Sequence, residues 1–340
     1  MHRRAFLGAA GATALAGPAL GQTKGALLRP PMLRPGDRVA VVNPSTAAYD
    51  PAARDRAQAL IEVMGLVPVF SKSFLERPRD FRGSVRHRLD ELHGAFADRT
   101  ISGVFCGRGG YGVSEIVDQV DYALIRRHPK VLLGFSDITL LQLAVRNRAG
   151  LVTFHGRMPS LGRFPDYSLQ ALTRAVMRPE PLGLLPNPPG DALRPPYPLR
   201  TIAPGAAEGP LVGGNLSMIM AAMGTPWEID TRGAIFFFED VDEPPYSMAR
   251  MLWTLKQAGK LQQAAGILVG ACNNCDGPLE VSPYTLNEVF DLTLGDLKIP
   301  VFSGLPIGHT ADQLTLPIGA RARLDATART LSVLEAGVVA

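Results

Sequence analysis

Alternating strand and helix patterns in the first half of the chain constrain its fold more than any other feature. Short apolar runs typical of buried strands alternate there with stretches of helical spacing. The strand runs are 36–45, 66–70, 101–110 and 130–137, and the helical stretches are 51–64, 86–98 and 139–150. Strands that alternate with helices predict a parallel sheet, and we place this α/β domain at residues 36–165. In such sheets the binding site lies at the carboxyl ends of the strands.

A proline-rich stretch separates this domain from the second half of the chain. Nine prolines lie between Pro179 and Pro204, and proline both fixes φ and lacks a backbone donor. We therefore predict a linker over 166–208, which opens with a short helical pattern, and a C-terminal domain over 209–335. The length of 340 residues is enough for two domains of roughly 150 residues each.

The first 21 residues have the pattern of an export signal. Arg3 and Arg4 precede Phe6 and a mildly apolar stretch that is too short and too rich in Gly and Ala to span a bilayer. This order is typical of a bacterial twin-arginine signal, and small residues favour a cut between Gly21 and Gln22. It predicts delivery of a folded protein to the periplasm, with an ordinary frayed N-terminus as the alternative. No later apolar run is long enough for stable membrane insertion.

Composition excludes several classes of protein. Apolar residues make up 46% and charged residues 19% of the chain, which excludes a disordered chain that is poor in apolar residues and rich in charge. The net charge is +4, and two of the positive charges lie in the predicted signal. No long run of Lys or Arg supplies the basic face that a nucleic-acid partner requires. Three cysteines cannot form a disulfide framework.

The sharpest local feature is the sequence Gly134-Phe135-Ser136-Asp137. An apolar run ends at Gly134 and a helical pattern begins just after Asp137, so Ser136 lies in a strand-to-helix turn. A serine in such a turn is exposed beside backbone N–H groups that can stabilise an oxyanion. From these residues alone, the alternative that Ser136 or Asp137 merely caps the helix stays open.

A glycine-rich turn, GRGGYG at 107–112, ends the strand run at 101–110. Its spacing matches G-x-G-x-x-G, so a dinucleotide site is one interpretation, although that fingerprint belongs at the first turn of a sheet. A second interpretation is an oxyanion-hole donor with Arg108 for a substrate carboxylate, and a third is a simple tight turn. Ser114 is a rival nucleophile, but it lies in the following helical pattern, where a hydroxyl usually faces solvent or bonds backwards.

A nucleophilic serine needs a base, and five histidines outside the predicted signal are candidates. His87, His93 and His128 lie in polar stretches and are expected at the surface. His155 follows a strand, where it either lines a cleft or is buried with its polar groups satisfied. His309 lies in a loop after an apolar strand, either as a base or as an ordinary loop residue.

The base needs an acid to orient it, and four carboxylates follow the apolar run at 234–238. Glu239 and Asp240 end this run, and Asp242 and Glu243 lie just beyond it. A carboxylate that emerges from a buried strand is costly unless it has a partner. The alternative is that all four form a solvated turn.

Taken together, these residues resemble the LD-carboxypeptidases, or muramoyltetrapeptide carboxypeptidases, a family of serine peptidases. The resemblance extends over nearly the whole chain that follows the predicted signal. The motifs that carry it are GRGGYG (107–112), GFSDIT (134–139), TFHGRM (153–158), GGNLS (213–217), FFFEDVDEPPY (236–246) and GHTADQLTLPIG (308–319). Their number and their order along the chain make the resemblance specific.

The resemblance implies a role for each of the matched positions. Ser136 is similar in position to the family's nucleophile, His309 to its base and Glu239 to its acid. The amides of Gly110 and Asp137 correspond to the oxyanion hole. The candidates for substrate binding are Arg108, toward the terminal carboxylate, and Tyr111.

The resemblance also implies a fold, an activity and a set of partners. The expected fold is α/β, with a Rossmann-like parallel-sheet N-terminal domain and a smaller β-rich α+β C-terminal domain, often as a homodimer. The expected enzyme is a serine carboxypeptidase, without metal or other cofactor, that removes the terminal D-Ala from L,D-linked murein tetrapeptides. The sequence lacks the paired S-x-x-K, S-D-N and K-T-G motifs of penicillin-binding enzymes and the H-E-x-x-H motif of zinc peptidases.

Two other functions stay open at this point. One is an immunity-type serine hydrolase that cleaves aminoacyl-nucleotide antibiotics, although the predicted export argues against cytoplasmic substrates. The other is a periplasmic binding protein that uses a cleft between two domains without turnover. A binding protein needs no close contact between the serine, the histidine and the acid.

The sequence Cys272-Asn273-Asn274-Cys275 has no counterpart among these motifs. It could be a disulfide in an oxidising compartment, half of a metal site, or a pair without function. A zinc site is disfavoured because a second cysteine pair is missing. Cys106 lies in an apolar strand and is expected in the core.

Overall fold

A computed structural model describes residues 27–48, 50–72, 74, 81–190, 195–277 and 282–340. The predicted signal at 1–21 lies outside these described residues. The strands are β1 (Arg38–Val42), β2 (Val67–Phe70), β3 (Ile101–Cys106), β4 (Val131–Gly134), β5 (Thr153–His155), β6 (Gly183–Leu184), β7 (Arg200–Ala203), β8 (Ala206–Asn215), β9 (Ile235–Val241), β10 (Gly266–Asn273), β11 (Val301–Ser303), β12 (Leu316–Ile318), β13 (Arg321–Asp325) and β14 (Thr330–Val333). The helices are α1 (Ala52–Val63), α2 (Phe81–Ala97), α3 (Tyr122–Arg127), α4 (Ile138–Ala149), α5 (Asp166–Met177), α6 (Leu216–Ala222), α7 (Pro245–Gln257), α8 (Lys260–Gln263) and α9 (Leu286–Leu294).

The first sheet has the strand order β12-β5-β4-β3-β1-β2. Its strands β5, β4, β3, β1 and β2 are parallel, as the alternating patterns predict. Strand β12 pairs antiparallel with β5, so the chain returns to this sheet from within residues 209–335. The sequence patterns did not predict that return.

The second sheet has the order β6-β14-β13-β8-β9-β10-β11-β7. Its central strands β8, β9, β10 and β11 are parallel, and the flanking strands pair antiparallel. The proline-rich stretch contributes β6 and β7, which lie at the two edges, where a missing backbone donor is tolerated. Two sheets with helices, each containing a run of parallel strands, confirm the predicted α/β fold class.

The central strands are buried on both faces. In β9, Phe236 and Phe238 belong to one apolar cluster and Phe237 to another, because successive side chains of a strand point to opposite faces. Burial on both sides explains why this strand reads in the sequence as one continuous apolar run. Among the described residues, no helix is both long enough and apolar enough to cross a membrane.

The two sheets meet at the carboxyl ends of their parallel strands. Strand β8 ends at Asn215, whose N–H donates to the Thr139 hydroxyl at the start of α4, at 3.0 Å. Gly214 packs so closely on Thr139 that a Cβ there would lie 2.5 Å from its methyl group. The turn after β4 therefore faces the strand ends of the second sheet.

Candidate active site

The turn that carries Ser136 is strained and tightly packed. Ser136 has a φ of 63°, a left-handed conformation that costs a non-glycine residue of order 1–3 kcal/mol. Gly134, at the end of β4, packs on the side chain of Ile138, which would lie 2.6 Å from a Cβ there. The Asp137 side chain makes no capping hydrogen bond to α4, so the capping interpretation of this turn is wrong for Asp137.

Three side chains from distant parts of the chain meet at this turn. The Ser136 hydroxyl lies 3.0 Å from Nε2 of His309, which is in the loop that follows β11. Nδ1 of the same imidazole lies 2.7 Å from Oε2 of Glu239, on β9. The structure thus brings the predicted nucleophile, base and acid into one hydrogen-bonded line.

The carboxylate of Glu239 is enclosed by the second sheet and the loop before His309. Its side chain is 0% exposed, and Gly308, with a φ of 111°, lies so close that a Cβ there would be 2.3 Å from Oε2. Burial raises the pKa of Glu239, and the hydrogen bond from His309 opposes this rise. An ionised Glu239 can only accept, so Nδ1 carries the proton and Nε2 is left to accept from Ser136.

Two of the acidic residues after Glu239 are held by hydrogen bonds within the protein. Asp240 is buried and accepts hydrogen bonds from the Asn215 amide and from the backbone and hydroxyl of Ser217, each between 2.8 and 2.9 Å. Asp242 accepts from Asn274 at 2.9 Å. Because Glu239 and Asp240 are both buried, the interpretation of all four acids as a solvated turn is wrong.

The glycine-rich turn lies directly against the nucleophile. A Cβ at Gly109 would lie 3.0 Å from the Cβ of Ser136. Gly110 has a φ of 115° and packs on Thr46. The N–H groups of Gly110 and Asp137 donate to no acceptor among the described residues, as expected of donors that face a ligand.

The Asp137 carboxylate holds this turn in place, a role that the sequence did not indicate. It accepts a hydrogen bond from Ser45 at 2.5 Å and one from the Val113 N–H at 3.1 Å. Burial raises the pKa of Asp137, and these two hydrogen bonds oppose the rise. One residue therefore presents its amide beside Ser136 and anchors the loop that carries Gly110.

The two predicted substrate-binding residues differ in their surroundings. Arg108 is half-buried between Gly107 and Gly109, and its guanidinium has no hydrogen-bond or ion-pair partner among the described residues. Tyr111 is 64% exposed, and its backbone is held by the hydroxyls of Ser45 and Thr46.

The rival candidates lie away from the site or are enclosed. Ser114 is exposed, and His93 accepts a hydrogen bond from the Asp121 N–H at 2.9 Å. His155 is 0% exposed between the rings of Phe135 and Phe237, and neither ring nitrogen has a partner in the described structure. Burial lowers the pKa of His155 to about 3, so it stays neutral.

A basic side chain missed by the sequence analysis holds the loop of His309. Arg157 donates to the Thr310 carbonyl at 2.8 Å and to the Arg163 carbonyl at 2.7 Å. Its place in the TFHGRM motif, two residues after a strand, was the available signal. Among the described residues, no group of three or more His, Cys, Asp or Glu side chains is arranged to hold a metal ion.

Comparison with known proteins identifies the family. A model of the LD-carboxypeptidase N-terminal domain matches residues 39–156, and a model of the C-terminal domain matches 208–324. The probable murein peptide carboxypeptidase of Bacillus subtilis is 39% identical over 310 residues, which cover 91% of this chain and 95% of that protein. The chain belongs to the LD-carboxypeptidase family. Members of this family are serine carboxypeptidases, so an enzyme is indicated.

Other LD-carboxypeptidase relatives agree in sequence and fold. The murein tetrapeptide carboxypeptidase of Pseudomonas aeruginosa is 30% identical over 294 residues, 85% of this chain and 93% of that protein. The crystal structure of muramoyltetrapeptide carboxypeptidase from Oxalobacter formigenes matches with a TM-score of 0.75 and 26% identity, over 89% of this chain and 100% of that one.

The same fold occurs in a protein with a different name. The microcin C7 self-immunity protein, in complex with glutamyl sulfamoyl guanosine, matches with a TM-score of 0.83, over 92% of this chain and 99% of that one. Its identity to this LD-carboxypeptidase chain is 23%, so the match extends to the fold alone.

Proposed function

We propose that this chain is a carboxypeptidase of murein peptides that releases the terminal D-Ala from L,D-linked tetrapeptides. The observation that carries the proposal is the line from Ser136 through His309 to Glu239, with contacts of 3.0 and 2.7 Å, in a member of this family. The short Ser136–His309 contact favours a hydrolase over a binding protein that works without turnover.

The proposed reaction is acyl transfer through Ser136. Nε2 of His309 takes the proton of the hydroxyl as Oγ attacks the carbonyl carbon of the bond before D-Ala. Glu239 accepts from Nδ1 and stabilises the imidazolium that forms. His309 then gives its proton to the departing amine of D-Ala, and a water molecule, deprotonated by the same imidazole, hydrolyses the acyl-enzyme.

The amides of Gly110 and Asp137 are proposed to stabilise the tetrahedral intermediate. Neither N–H group donates to an acceptor among the described residues, and the two groups belong to the two turns that meet at Ser136. Such donors are worth about 3 kcal/mol each in acyl-transfer enzymes. The chemistry needs no metal in this proposal, because the proton transfers and the oxyanion are handled by protein groups.

Arg108 is proposed to bind the carboxylate of the terminal D-Ala. Arg108 directly precedes Gly109, which packs against Ser136, and the Arg108 guanidinium has no protein partner in the described structure. A carboxypeptidase must recognise a free terminal carboxylate, and a guanidinium can do so with two parallel hydrogen bonds. Tyr111, exposed beside it, is proposed to border the same subsite.

The test is release of D-Ala from a purified murein tetrapeptide. We expect the full chain to convert tetrapeptide to tripeptide, and Ser136→Ala to lower kcat by roughly 10⁴-fold or more. Ser114→Ala is the matched control, because Ser114 is an exposed serine close in sequence and should leave kcat unchanged. Full D-Ala release by folded Ser136→Ala would refute the assignment.

The second candidate function is hydrolysis of an aminoacyl sulfamoyl-nucleotide, which the fold match to the microcin C7 self-immunity protein supports. The same preparation is incubated with glutamyl sulfamoyl guanosine and with the tetrapeptide. Turnover of the tetrapeptide alone supports the carboxypeptidase, and turnover of the nucleotide alone supports the immunity-type hydrolase.

We also propose that the chain is exported to the periplasm, where murein is its substrate. The family resemblance supports a homodimer as its assembly. The twin-arginine pattern at 1–21 carries the export proposal. Replacement of Arg3 and Arg4 by Lys should retain the full chain in the cytoplasmic fraction, whereas the same replacement at the exposed Arg126 and Arg127 should not. Periplasmic delivery of the Arg3→Lys, Arg4→Lys chain would contradict the proposal.

A further inference from the structure

Cys272 and Cys275 flank a tight turn at the end of β10, outside the reaction proposed above. Cys272 pairs with Asp240 of β9 across the sheet. Asn274 has a left-handed φ of 59°, which folds the chain back, and the Cys275 thiol donates to the Asn273 carbonyl at 3.5 Å. The fold of this turn places the two thiols close enough to interact, and the Cys275 thiol raises the pKa of the Cys272 thiol.

Hydrogen bonds to the end of β9 hold the turn in its conformation. The Asn274 side chain donates to the Asp242 carboxylate at 2.9 Å, and the Asp242 N–H donates to the Asn273 carbonyl at 3.0 Å. Disulfide geometry is restrictive, so two cysteines three residues apart on a fixed turn, with interacting side chains, need little backbone movement to close.

The three cysteines differ in access to solvent. Cys272 is half-buried, whereas Cys275 is 0% exposed. Cys106 is also 0% exposed and lies in β3 of the first sheet, whereas Cys272 lies in β10 of the second. A dissolved reagent therefore reaches Cys272 first, and Cys275 is the cysteine placed to react next.

We propose that Cys272 and Cys275 form a redox modification site that closes to an intramolecular disulfide in the folded chain. The oxidant is a small-molecule disulfide such as oxidised glutathione. The Cys272 thiolate attacks one sulfur of oxidised glutathione, which releases one reduced glutathione and leaves a mixed disulfide. The Cys275 thiolate then attacks the Cys272 sulfur and releases the second. Two electrons pass to glutathione, and the two thiol protons end on its reduced molecules.

The surroundings of Cys272 determine how fast this exchange proceeds. The interaction with the Cys275 thiol, burial, and the negative charges of Glu239 and Asp240 raise the pKa of the Cys272 thiol. Because the thiolate is the attacking species, we expect exchange at neutral pH over hours rather than seconds. The proposed export would place the pair in an oxidising compartment, where disulfides persist.

The test uses the folded full chain with oxidised glutathione, followed by alkylation and peptide mass mapping. We expect a loss of about 2 Da, carried by a peptide in which Cys272 and Cys275 are joined. Cys106 should remain a thiol that is alkylated only after unfolding. The readout is mass alone, so it does not depend on the proposed carboxypeptidase activity.

Two variants separate the steps. Cys275→Ser should stop at a glutathione adduct on Cys272, and Cys106→Ala should close the disulfide as the wild-type chain does. A stable glutathione adduct on the wild-type chain, a disulfide between two chains, or three unreacted thiols after prolonged incubation would each overturn the proposal. Mapping of the wild-type chain decides this even if a variant fails to fold.

Discussion

At the residue scale, the candidate site depends on backbone conformations that side chains ordinarily disfavour. Ser136 adopts a left-handed φ although it is not glycine, which lifts its hydroxyl out of the turn between β4 and α4. Gly308 and Gly110 take left-handed conformations where a Cβ would strike Glu239 and Thr46 respectively. At Gly110 and Gly308, the absence of a side chain therefore lets the backbone approach the reacting groups closely.

The first prediction concerns Gly110. Gly110→Ala places a Cβ 2.4 Å from the Thr46 hydroxyl at a φ that alanine disfavours, so the loop must shift and the amide moves away from the oxyanion. We expect kcat for D-Ala release to fall by roughly 10²–10³-fold. The measurement is steady-state kinetics together with a thermal melt that confirms folding.

Gly36→Ala is the matched control for this prediction. Gly36 has a φ of 88°, but no atom lies within 4 Å of a Cβ there. It should lose of order 1 kcal/mol of stability from the backbone conformation and keep its kcat. Equal kcat for Gly110→Ala and the wild-type chain would rule out the oxyanion role of Gly110.

At the element scale, the loop between β11 and β12 must hold His309 between two sheets. Its base is tied to β10 by the hydrogen bond from the Ala271 N–H to the Ile307 carbonyl, at 2.9 Å. Its far side is tied to the first sheet by Arg157, whose guanidinium also lies over the Phe164 ring. The imidazole is therefore positioned from both sheets at once.

The second prediction follows from this double attachment. Arg157→Met keeps an apolar stem but removes the hydrogen bond to the Thr310 carbonyl, so the His309 loop gains freedom. We expect kcat to fall by about 10-fold or more with little change in KM, because small misplacements of a base are costly. Arg157→Lys, which can still donate to one carbonyl, should recover part of the loss.

Arg56→Met is the control for Arg157→Met. Arg56 donates to the Ser160 carbonyl at 3.0 Å, in the loop whose Arg163 carbonyl Arg157 binds, and its other hydrogen bond among the described residues goes to Asp50 rather than to the His309 loop. We expect it to keep the wild-type kcat. A fall of the same size in both variants would mean that the loop is merely destabilised, not that Arg157 positions the base.

At the scale of the whole molecule, two carboxylates, Asp240 and Glu288, affect the free energy of unfolding with opposite dependence on pH. Burial raises the pKa of Asp240 in the folded chain, so ionisation opposes folding and the cost disappears as pH falls. The Thr285 hydrogen bonds of a capping box lower the pKa of Glu288 below 4.5, so its contribution is lost as pH falls.

The third prediction concerns the urea-unfolding midpoint, measured at neutral pH and at about pH 4. The midpoint of the wild-type chain is compared once with that of Asp240→Asn and once with that of Glu288→Gln. Relative to Asp240→Asn, the wild-type chain should become more stable as the pH falls from neutral to about 4, because burial raises the pKa of Asp240 in the folded chain. Relative to Glu288→Gln, it should lose stability below the unfolded value of 4.5. The same direction of change in both pairs would contradict the proposed burial effect.

Much of the fold could be predicted because each local pattern reports local burial. The apolar run at 131–134 became β4, and the helical spacing at 139–150 became α4, which spans Ile138–Ala149. Strand β12 was not predicted as part of the first sheet, since three residues carry no information on which sheet they join. The role of the Asp137 carboxylate was hidden for the same reason: its partners Ser45 and Val113 lie 92 and 24 residues away.

The sequence by itself determined the α/β class, the position of Ser136 in a strand-to-helix turn and, through its motifs, which histidine and which carboxylate to examine. Periodic burial and turn chemistry are local properties, so they can be read from neighbouring residues. Only the tertiary structure decided that the Ser136 hydroxyl and Nε2 of His309, 173 residues apart in sequence, lie 3.0 Å apart, and that Arg157 holds the loop that carries His309. Such contacts depend on how two sheets pack, and the packing of distant elements leaves no periodic signal along the chain.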